Sequence, residues 1–336
     1  MKKIKFSIII PAYNAEKTIK SCVDSVLVQD YDSYEIIIVD DGSKDATARI
    51  LREEYGDNKK ITILSQENKG VSAARNRALN EASGEWVIFL DSDDKILAKS
   101  LFNIDKSLHN SRADCLITRL KRQGCNYASF ADRTFCDKRA LIDSAIFCEG
   151  KPYDPTLSEF DMRAIGGKVY RRTIISSNKL LFFEDLRKFE DGLFNIDFFL
   201  AADLIVCSAI FFYEYSCDNP NSRTNTRYSH EYEDNQLILS RLSDTISRNN
   251  YETNAVNDVA LPLFILAIDD ICGRDLSSKK KKVSTKLLHS KFLPYLRMTN
   301  KSLFGHKKKF ELAVARRKSD TLVRFLYTFK NLVKKH

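Results

Sequence analysis

The sequence lacks several features that would place it in other protein classes. No stretch approaches the roughly eighteen consecutive apolar residues of a transmembrane helix, so we expect none. Eight cysteines occur, but none belongs to a Cys-x-x-Cys pair or lies near a pair of histidines. A zinc site and a disulfide framework are therefore not expected. The cysteines are instead expected to be reduced thiols in a cytoplasmic protein. Internal repeats are also missing, and the only low-complexity run is Lys279–Lys282.

The composition is that of an ordinary globular protein with a basic C-terminal region. The 336 residues are 43% hydrophobic and 29% charged, enough for two or three domains with a substantial core. The short apolar run that ends at Pro11 is too short and wrongly flanked for a signal peptide, so a cytoplasmic location is expected. The net charge of +9 is uneven, since residues 273–336 carry 19 Lys and Arg against 3 Asp and Glu.

The first 115 residues alternate between strand-like and helix-like patterns. Apolar residues at helical spacing separate four short apolar runs that predict strands, at Phe6–Ile10, Glu35–Val39, Ile61–Leu64 and Trp86–Leu90. This alternation predicts an α/β fold with a doubly wound, mixed but mostly parallel sheet and helices on both faces. The loops at the carboxyl ends of the strands should then form the functional edge.

Three carboxylates follow the fourth predicted strand directly. Asp91 and Asp93 are two positions apart, so a continued strand would point both to the same face. Two hard oxygen ligands aimed at one point suit Mg²⁺ or Mn²⁺. The alternative is that this Ser-Asp-Asp stretch is a turn and a helix cap.

Four segments together carry a family resemblance. In this order and at these spacings they closely resemble the family 2 glycosyltransferases of the GT-A fold, of the bacterial surface-polysaccharide or lipooligosaccharide type. The resemblance is dense over residues 4–115 and extends thinly to about residue 215. The segments are SIIIPAYN (7–14), VDDGS (39–43), NKGVSAARN (68–76) and FLDSDD (89–94).

The resemblance implies a site for a nucleotide-diphosphate sugar, with uridine as the expected nucleoside. Tyr13 would stack on the base, Asp41 (or its neighbour Asp40) would accept from the uracil N–H, and Asp93 of the DxD element would hold Mn²⁺ or Mg²⁺. Tyr13 could instead be a turn aromatic, and Arg75 a solvated helix cation. The residues implied to contact the nucleotide sugar are Pro11, Tyr13, Asp40, Asp41, Asn68, Arg75, Asp91 and Ser92.

The resemblance also implies a catalytic base. An acceptor hydroxyl is a poor nucleophile, so a carboxylate should take its proton as it attacks the anomeric carbon. Asp191, about a hundred residues after the DxD element, matches the family position for this role. One base without a carboxylate nucleophile implies a single displacement with inversion. Glu190-Asp191 could instead be an acid pair favoured by a helix N-terminus. Glu184-Asp185 is an alternative pair of acids that could supply the catalytic base.

The basic C-terminal segment predicts a membrane-surface helix. Apolar residues between Leu322 and Val333 recur at helical spacing with lysines beside them, which is typical of a peripheral helix on an anionic membrane. We therefore expect the protein on the inner face of the cytoplasmic membrane. The alternatives are docking on its own core or a homodimer contact. A nucleic-acid partner is not expected, because no groove-reading or base-stacking module accompanies the charge.

These patterns divide the chain into three predicted regions. Residues 1–115 would bind the nucleotide sugar, 116–217 would bind the acceptor and carry the base, and 218–336 would form a helical region with the basic tail. The predicted function is a metal-dependent, inverting glycosyltransferase that acts on a glycan or lipid-linked glycan. A catalytically silent sugar-nucleotide-binding scaffold on the same fold is the alternative.

Overall fold

The computed structural model describes residues 4–109, 111–122, 133–135, 138–146, 157, 160–216, 231–273, 278–298 and 315–316. The chain divides into two compact units, of which the first comprises Met1–Ile142 and Thr156–Asn225 and the second Asp143–Pro155 and Thr226–His336. The strands are β1 (Phe6–Ala12), β2 (Tyr34–Asp40), β3 (Ile61–Ser65), β4 (Trp86–Phe89), β5 (Lys95–Ile96), β6 (Cys115–Arg122), β7 (Arg133–Phe135), β8 (Lys168–Arg171) and β9 (Ile205–Tyr215). The helices are α1 (Ile19–Leu27), α2 (Thr47–Tyr55), α3 (Val71–Glu81), α4 (Ser100–His109), α5 (Arg139–Ile146), α6 (Arg172–Ser177), α7 (Glu190–Ala201), α8 (Glu231–Arg248), α9 (Ala255–Gly273) and α10 (Ser278–Met298).

The first unit is built on one mixed sheet. Its strand order is β3-β2-β1-β4-β8-β6-β9-β5, with β7 paired to β9. Strands β1 to β4 pair in parallel, whereas β8 runs antiparallel to both β4 and β6. The predicted mixed α/β fold is confirmed. Because β8 is reversed, its amino end lies at the same sheet edge as the carboxyl end of β4.

The apolar runs become strands because both faces of the sheet are covered. Every residue of β1 is buried, and Ile8 pairs in register with Ile36 on one side and Ile88 on the other. Strands of this kind have no solvent face and therefore read as continuous rather than alternating apolar sequence. The connection after β1 leads to β2 on one side, whereas the connection after β3 leads back to β4 on the other side of β1. Such a reversal of strand order opens a crevice at the carboxyl ends of β1 and β4.

The fourth strand ends earlier than its apolar run predicts. Leu90 still donates to the carbonyl of Ile9 at 2.9 Å, but β4 ends at Phe89 and the chain turns, with the Asp94 N–H bonded to the Asp91 carbonyl at 3.0 Å. The expectation that strand alternation aligns Asp91 with Asp93 was therefore wrong. A tight turn sets their directions instead.

The second unit contains α8, α9 and α10. Phe264 of α9 packs on Phe292 of α10, with ring centroids 5.7 Å apart, and Leu288, Phe292 and Leu296 form one buried stripe at four-residue spacing. Within the described part of the chain, no helix combines the length and apolar character that crossing a bilayer requires. The predicted amphipathic tail, between residues 319 and 336, lies outside the described residues.

A buried serine ties three chain segments together at the opposite edge of the sheet. The fully buried Ser7 hydroxyl donates to Glu35 at 2.6 Å and accepts from the Gly84 N–H at 2.8 Å. The same Glu35 oxygen accepts from the backbone and hydroxyl of Ser83 at 2.7 and 2.9 Å. Ser7, the first residue of one family-like segment, therefore has a structural role.

We expect Ser7→Ala to destabilise the protein by about 1–3 kcal/mol, because it leaves the buried Gly84 N–H without its partner. The measurement is the urea midpoint and Tm by circular dichroism. The control is Ser21→Ala, which removes an exposed hydroxyl of α1 that bonds only to the carbonyl of Thr18, the residue before the helix. Equal stability of the two variants would contradict this role for Ser7.

Candidate active site

Asp41 organises the loops after β2 and β3. Its carboxylate accepts from the N–H groups of Lys69 and Gly70 and from the Gln66 side chain, each at 2.8 Å. A carboxylate has about four acceptor sites, so one remains for a ligand donor. Gly42, at φ +71°, lies so close to the Asn68 N–H that a Cβ there would come within 2.8 Å of it.

Tyr13 lies exposed in a loop that is itself tightly held. Its side chain is 45% exposed, whereas the next residue, Asn14, accepts from the Lys44 N–H at 2.8 Å and donates its own N–H to Ser43 at 2.9 Å. The neighbouring Asp40 is buried and accepts from the Ser43 N–H at 3.2 Å. The exposed ring of Tyr13 therefore lies on a fixed loop, next to the loops that Asp41 holds.

The other predicted nucleotide contacts differ in exposure. Pro11 is buried within β1 opposite Val39, whereas Asn68 is exposed and Ser92 is half-buried in the turn after β4. These loops follow parallel neighbouring strands, so the structure brings them to one edge of the sheet.

Asp94 anchors the acidic turn to β9. Its buried carboxylate accepts from the Tyr213 hydroxyl at 2.6 Å and from the Ser216 N–H at 2.8 Å, while the Asp91 N–H donates to the same hydroxyl at 3.2 Å. Burial, and then the charge of Asp91, raise the pKa of Asp94 to about 8. Asp94 therefore caps no described helix but holds the turn in place.

Sequence reasoning missed Tyr213. It lies in an aromatic stretch, Phe211–Tyr215, where no local pattern distinguishes it from its neighbours. Gly166 leaves room for the Tyr213 ring, because a Cβ at Gly166 would lie 2.6 Å from it.

Arg75 joins two predicted site residues. Its Nη1 donates to Asp191 at 2.6 Å and its Nη2 to Asp91 at 2.7 Å. Only 3% of the Arg75 side chain is exposed, against 36% for Asp91 and 27% for Asp191. Burial lowers the pKa of Arg75, but the attraction of Asp191 and Asp91 outweighs it and the pKa is raised, so the group stays cationic. The interpretation of Arg75 as a solvated helix cation was wrong.

Asp191 lies in the first turn of α7, and the helix begins directly after Phe189, whose φ is +64°. Removal from water raises the pKa of Asp191, the Arg75 charge lowers it, and Asp91 raises it again; the net direction is upward. The backbone N–H of Ile165 also hydrogen-bonds the carboxylate and favours its charged form. The site therefore holds a partly exposed carboxylate beside a fixed cation.

The loop that carries Ile165 is fixed by two buried side chains that sequence reasoning did not single out. The Lys168 ammonium donates to the carbonyls of Asp161, at 2.6 Å, and Ala164. The Asn195 amide donates to three carbonyls within 162–164, at 2.9 to 3.1 Å. Lys168 lies in the stretch GGKVYR (166–171), which resembles the family segment that leads into Asp191 and was a usable signal. Asn195 had no such signal.

The acidic turn has the chemistry of a shared cation site. No group of three or more His, Cys, Asp or Glu arranged to hold a metal occurs among the residues that the structure describes. A cation bound largely by ligand phosphates needs only one or two protein carboxylates, and Asp91 and Asp93 are half-exposed hard oxygen donors. Burial is the main cause of the raised pKa of Asp94, and the negative charges of Asp91 and Asp93 raise it further. The donor set therefore fits Mg²⁺ or Mn²⁺.

Known proteins of similar sequence are bacterial glycosyltransferases. Glycosyltransferase GlyA of Streptococcus pneumoniae is 30% identical over 207 residues, which cover 60% of this chain and 29% of GlyA. Poly(ribitol-phosphate) beta-N-acetylglucosaminyltransferase TarS of Staphylococcus aureus is 30% identical over 232 residues, 67% of this chain and 38% of TarS. The chain therefore spans only about a third of the length of these relatives.

Solved structures share the fold. The crystal structure of S. aureus TarS 1-349 in complex with UDP-GlcNAc aligns with a TM-score of 0.68 and 22% identity, over 98% of this chain and 92% of that one. The mannosyltransferase PcManGT from Pyrobaculum calidifontis, in complex with GDP-Man and Mn²⁺, aligns with a TM-score of 0.51 and 16% identity, over 94% and 88%. The predicted GT-A fold is confirmed.

The sequence profile described as "Glycosyl transferase family 2" matches residues 7–176, just over half of the chain, and includes all four segments of the predicted resemblance. The chain belongs to glycosyl transferase family 2.

Proposed function

We propose that the protein is an inverting glycosyltransferase that moves a sugar from a nucleotide-diphosphate sugar, a UDP-sugar in particular, to a hydroxyl of a glycan or lipid-linked glycan. The observation that carries the proposal is the guanidinium of Arg75, which holds the donor-side Asp91 and the proposed base Asp191 at 2.7 and 2.6 Å. Family membership and the UDP-GlcNAc named in the complex of the S. aureus TarS fragment support a nucleotide-sugar donor.

The nucleoside would bind in the loop cluster around Asp41. The remaining acceptor site of its carboxylate suits the uracil N–H, and the exposed ring of Tyr13 suits stacking on the base. Asn68 is exposed beside them and can contribute hydrogen bonds to the nucleotide. Asp40 stays an alternative acceptor.

The diphosphate would lie over the turn after β4, where Asp93 would hold the metal ion. A divalent cation bound there supplies positive charge that stabilises the departing diphosphate. Asp91 uses one carboxylate oxygen for Arg75, which leaves the other for a hydroxyl of the ribose or donor sugar. Ser92 lies between these two acids and offers a hydroxyl at the same point.

Asp191 would act as the general base. As the acceptor oxygen bonds to the anomeric carbon, the bond from that carbon to the diphosphate oxygen breaks, and the hydroxyl proton passes to the Asp191 carboxylate. A raised pKa makes this carboxylate a stronger base than ordinary Asp. A single displacement inverts the anomeric configuration. Glu184 is a weaker candidate, because it is exposed and bonded to Asn76 at 3.0 Å.

The names of the relatives and the charge distribution support the proposed acceptor class. Relatives named for poly(ribitol-phosphate) glycosylation support a bacterial surface polymer, assembled in the cytoplasm, as the acceptor. Residues 116–217 would bind it, as an acceptor half beside the nucleotide-sugar half at 1–115. The basic tail, outside the described residues, would hold the enzyme on the inner face of the cytoplasmic membrane; a homodimer contact is its alternative role. No nucleic acid is involved.

The test of the proposal is Asp191→Asn. We expect this variant to bind UDP normally and to lose transfer by a factor of about 10²–10⁴, because the acceptor proton loses its base. The assay is product formation from a panel of UDP-, GDP- and dTDP-sugars, with UDP affinity by calorimetry. Asp185→Asn, an exposed neighbour in the alternative acid pair, is the control and should keep full activity.

Either of two results would contradict the proposal. Unaltered transfer by Asp191→Asn would remove the base assignment. UDP binding by the wild-type protein with no turnover of any donor would favour the silent scaffold.

Asp93→Ala should abolish the dependence of UDP binding on Mn²⁺, because the cation would lose its carboxylate ligand. The readouts are calorimetric UDP affinity with and without Mn²⁺ and the electron paramagnetic resonance of bound Mn²⁺. Asp57→Ala, an exposed acid in the turn after α2, is the control. Retained Mn²⁺-dependent affinity in Asp93→Ala would show that another residue holds the metal.

Tyr213→Phe should weaken Mn²⁺-dependent UDP binding by about tenfold, because the lost hydroxyl bonds both the Asp94 carboxylate and the Asp91 N–H and so holds the acidic turn. Tyr55→Phe is the matched control, since it removes a hydroxyl bonded to a carboxylate, Asp24 at 2.7 Å, within the α1–α2 region. Equal UDP affinities in the two variants would show that Tyr213 serves stability alone.

A further inference from the structure

We propose that Asn76 is a positioning residue for Asp191: it holds the backbone of Phe182, the Phe182 ring supports the Arg75 guanidinium, and Arg75 orients the Asp191 carboxylate. The inference rests on the proposed function, since it takes Asp191 as the group that accepts the acceptor's proton.

The first link is the Asn76 amide. Its oxygen accepts the Phe182 N–H at 2.8 Å and its nitrogen donates to the Phe182 carbonyl at 2.9 Å, so the side chain pairs with Phe182 as a neighbouring strand would. The same nitrogen donates to Glu184 at 3.0 Å. Asn76 is only 8% exposed, so the loss of these bonds would leave buried polar groups without partners.

The second link is the Phe182 ring, which contacts both sides of the site. The Arg75 guanidinium carbon lies 5.2 Å from the ring centroid, within the range of a cation–π contact. Phe194 stacks on the same ring at 4.1 Å with an interplanar angle of 3°, and Phe89 packs edge to face against it at 5.2 Å. Phe194 follows Asp191 by three residues on α7 and so lies on the same helix face. One ring therefore supports both the guanidinium and the helix that carries the base.

The third link is the guanidinium itself. Its Nε is buried and finds no hydrogen-bond partner among the described residues, so the two carboxylate contacts and the Phe182 ring fix its orientation. A shift of Phe182 would therefore tilt Arg75 away from Asp191.

The tilt would change the proton affinity of Asp191. The charged and titratable groups that face it are Arg75 from α3, Asp91 from the turn after β4, and Lys168 and Tyr170 from β8. Burial raises the pKa of Asp191. The positive charges of Arg75 and Lys168 lower this pKa, and the negative charge of Asp91 raises it. If Arg75 moves away, the pKa of Asp191 rises, and the acidic limb of the rate profile moves to higher pH because the base must be ionised to act.

The experiment compares the pH dependence of kcat for wild type, Asn76→Ala and Asn178→Ala. Asn178 is an exposed asparagine whose amide bonds only to the Ile174 carbonyl, and its variant should match the wild type. We expect Asn76→Ala to lower kcat about tenfold or more and to move the acidic limb up by about one pH unit, the shift that weakening one charge contact produces.

A second variant keeps the test decisive if Asn76→Ala is too unstable to assay. Phe182→Leu removes the ring beneath the guanidinium but keeps apolar volume, and it should move the acidic limb in the same direction. A lower kcat with an unmoved acidic limb in both variants would reduce Asn76 to a structural residue and overturn the inference.

The two proposals fail differently. If Asp191→Asn transfers sugar normally, the base assignment fails. If Asp191→Asn is inactive but the acidic limb of Asn76→Ala stays at the wild-type pH, only the positioning role of Asn76 fails.

Discussion

The buried cation of Arg75, shared between Asp91 and Asp191, is the interaction on which the site depends. A guanidinium that is 97% removed from solvent is costly unless its charge is matched, and here two carboxylates match it at 2.7 and 2.6 Å. The loss of both acids would leave this charge uncompensated in the interior. The strand end, helix α3 and the start of α7 therefore have to meet at one point.

The sheet topology makes that meeting possible. Since β8 runs antiparallel to β4, the loop before β8 returns to the edge where β4 ends. That loop brings Ile165, and the start of β8 brings Lys168, to the first turn of α7. Strand β9 reaches the same edge, where Tyr213 bonds both ends of the acidic turn. Gly166 leaves the space for that ring, so a residue without a side chain is part of how the site is built.

The parts of this arrangement that could be predicted from sequence are the local ones. Continuous apolar runs predict β1 and β2 because those strands are covered on both faces, and the family resemblance indicates Arg75 and Asp191 as candidate site residues. The contact between those two residues could not be predicted, because it joins positions 116 residues apart through tertiary packing. The role of Asp94 could not be predicted for the same reason: its partner, Tyr213, lies 119 residues away in a stretch with no distinguishing pattern. The turn after Leu90 could be given only as an alternative, because an apolar run indicates where a strand lies but not the residue at which it bends.

The same contacts explain why the proposed base can be both strong and ionised. A carboxylate removed from water gains proton affinity, and the negative charge of Asp91 adds to that gain. Without the cation of Arg75, the pKa of Asp191 would be raised further. Arg75 offsets part of the rise, and the Ile165 N–H and Lys168 add to this opposing effect, so the pKa of Asp191 is raised while the charged form is still supported. Because the same guanidinium also binds Asp91, the proton affinity of the base depends on the geometry of the donor side.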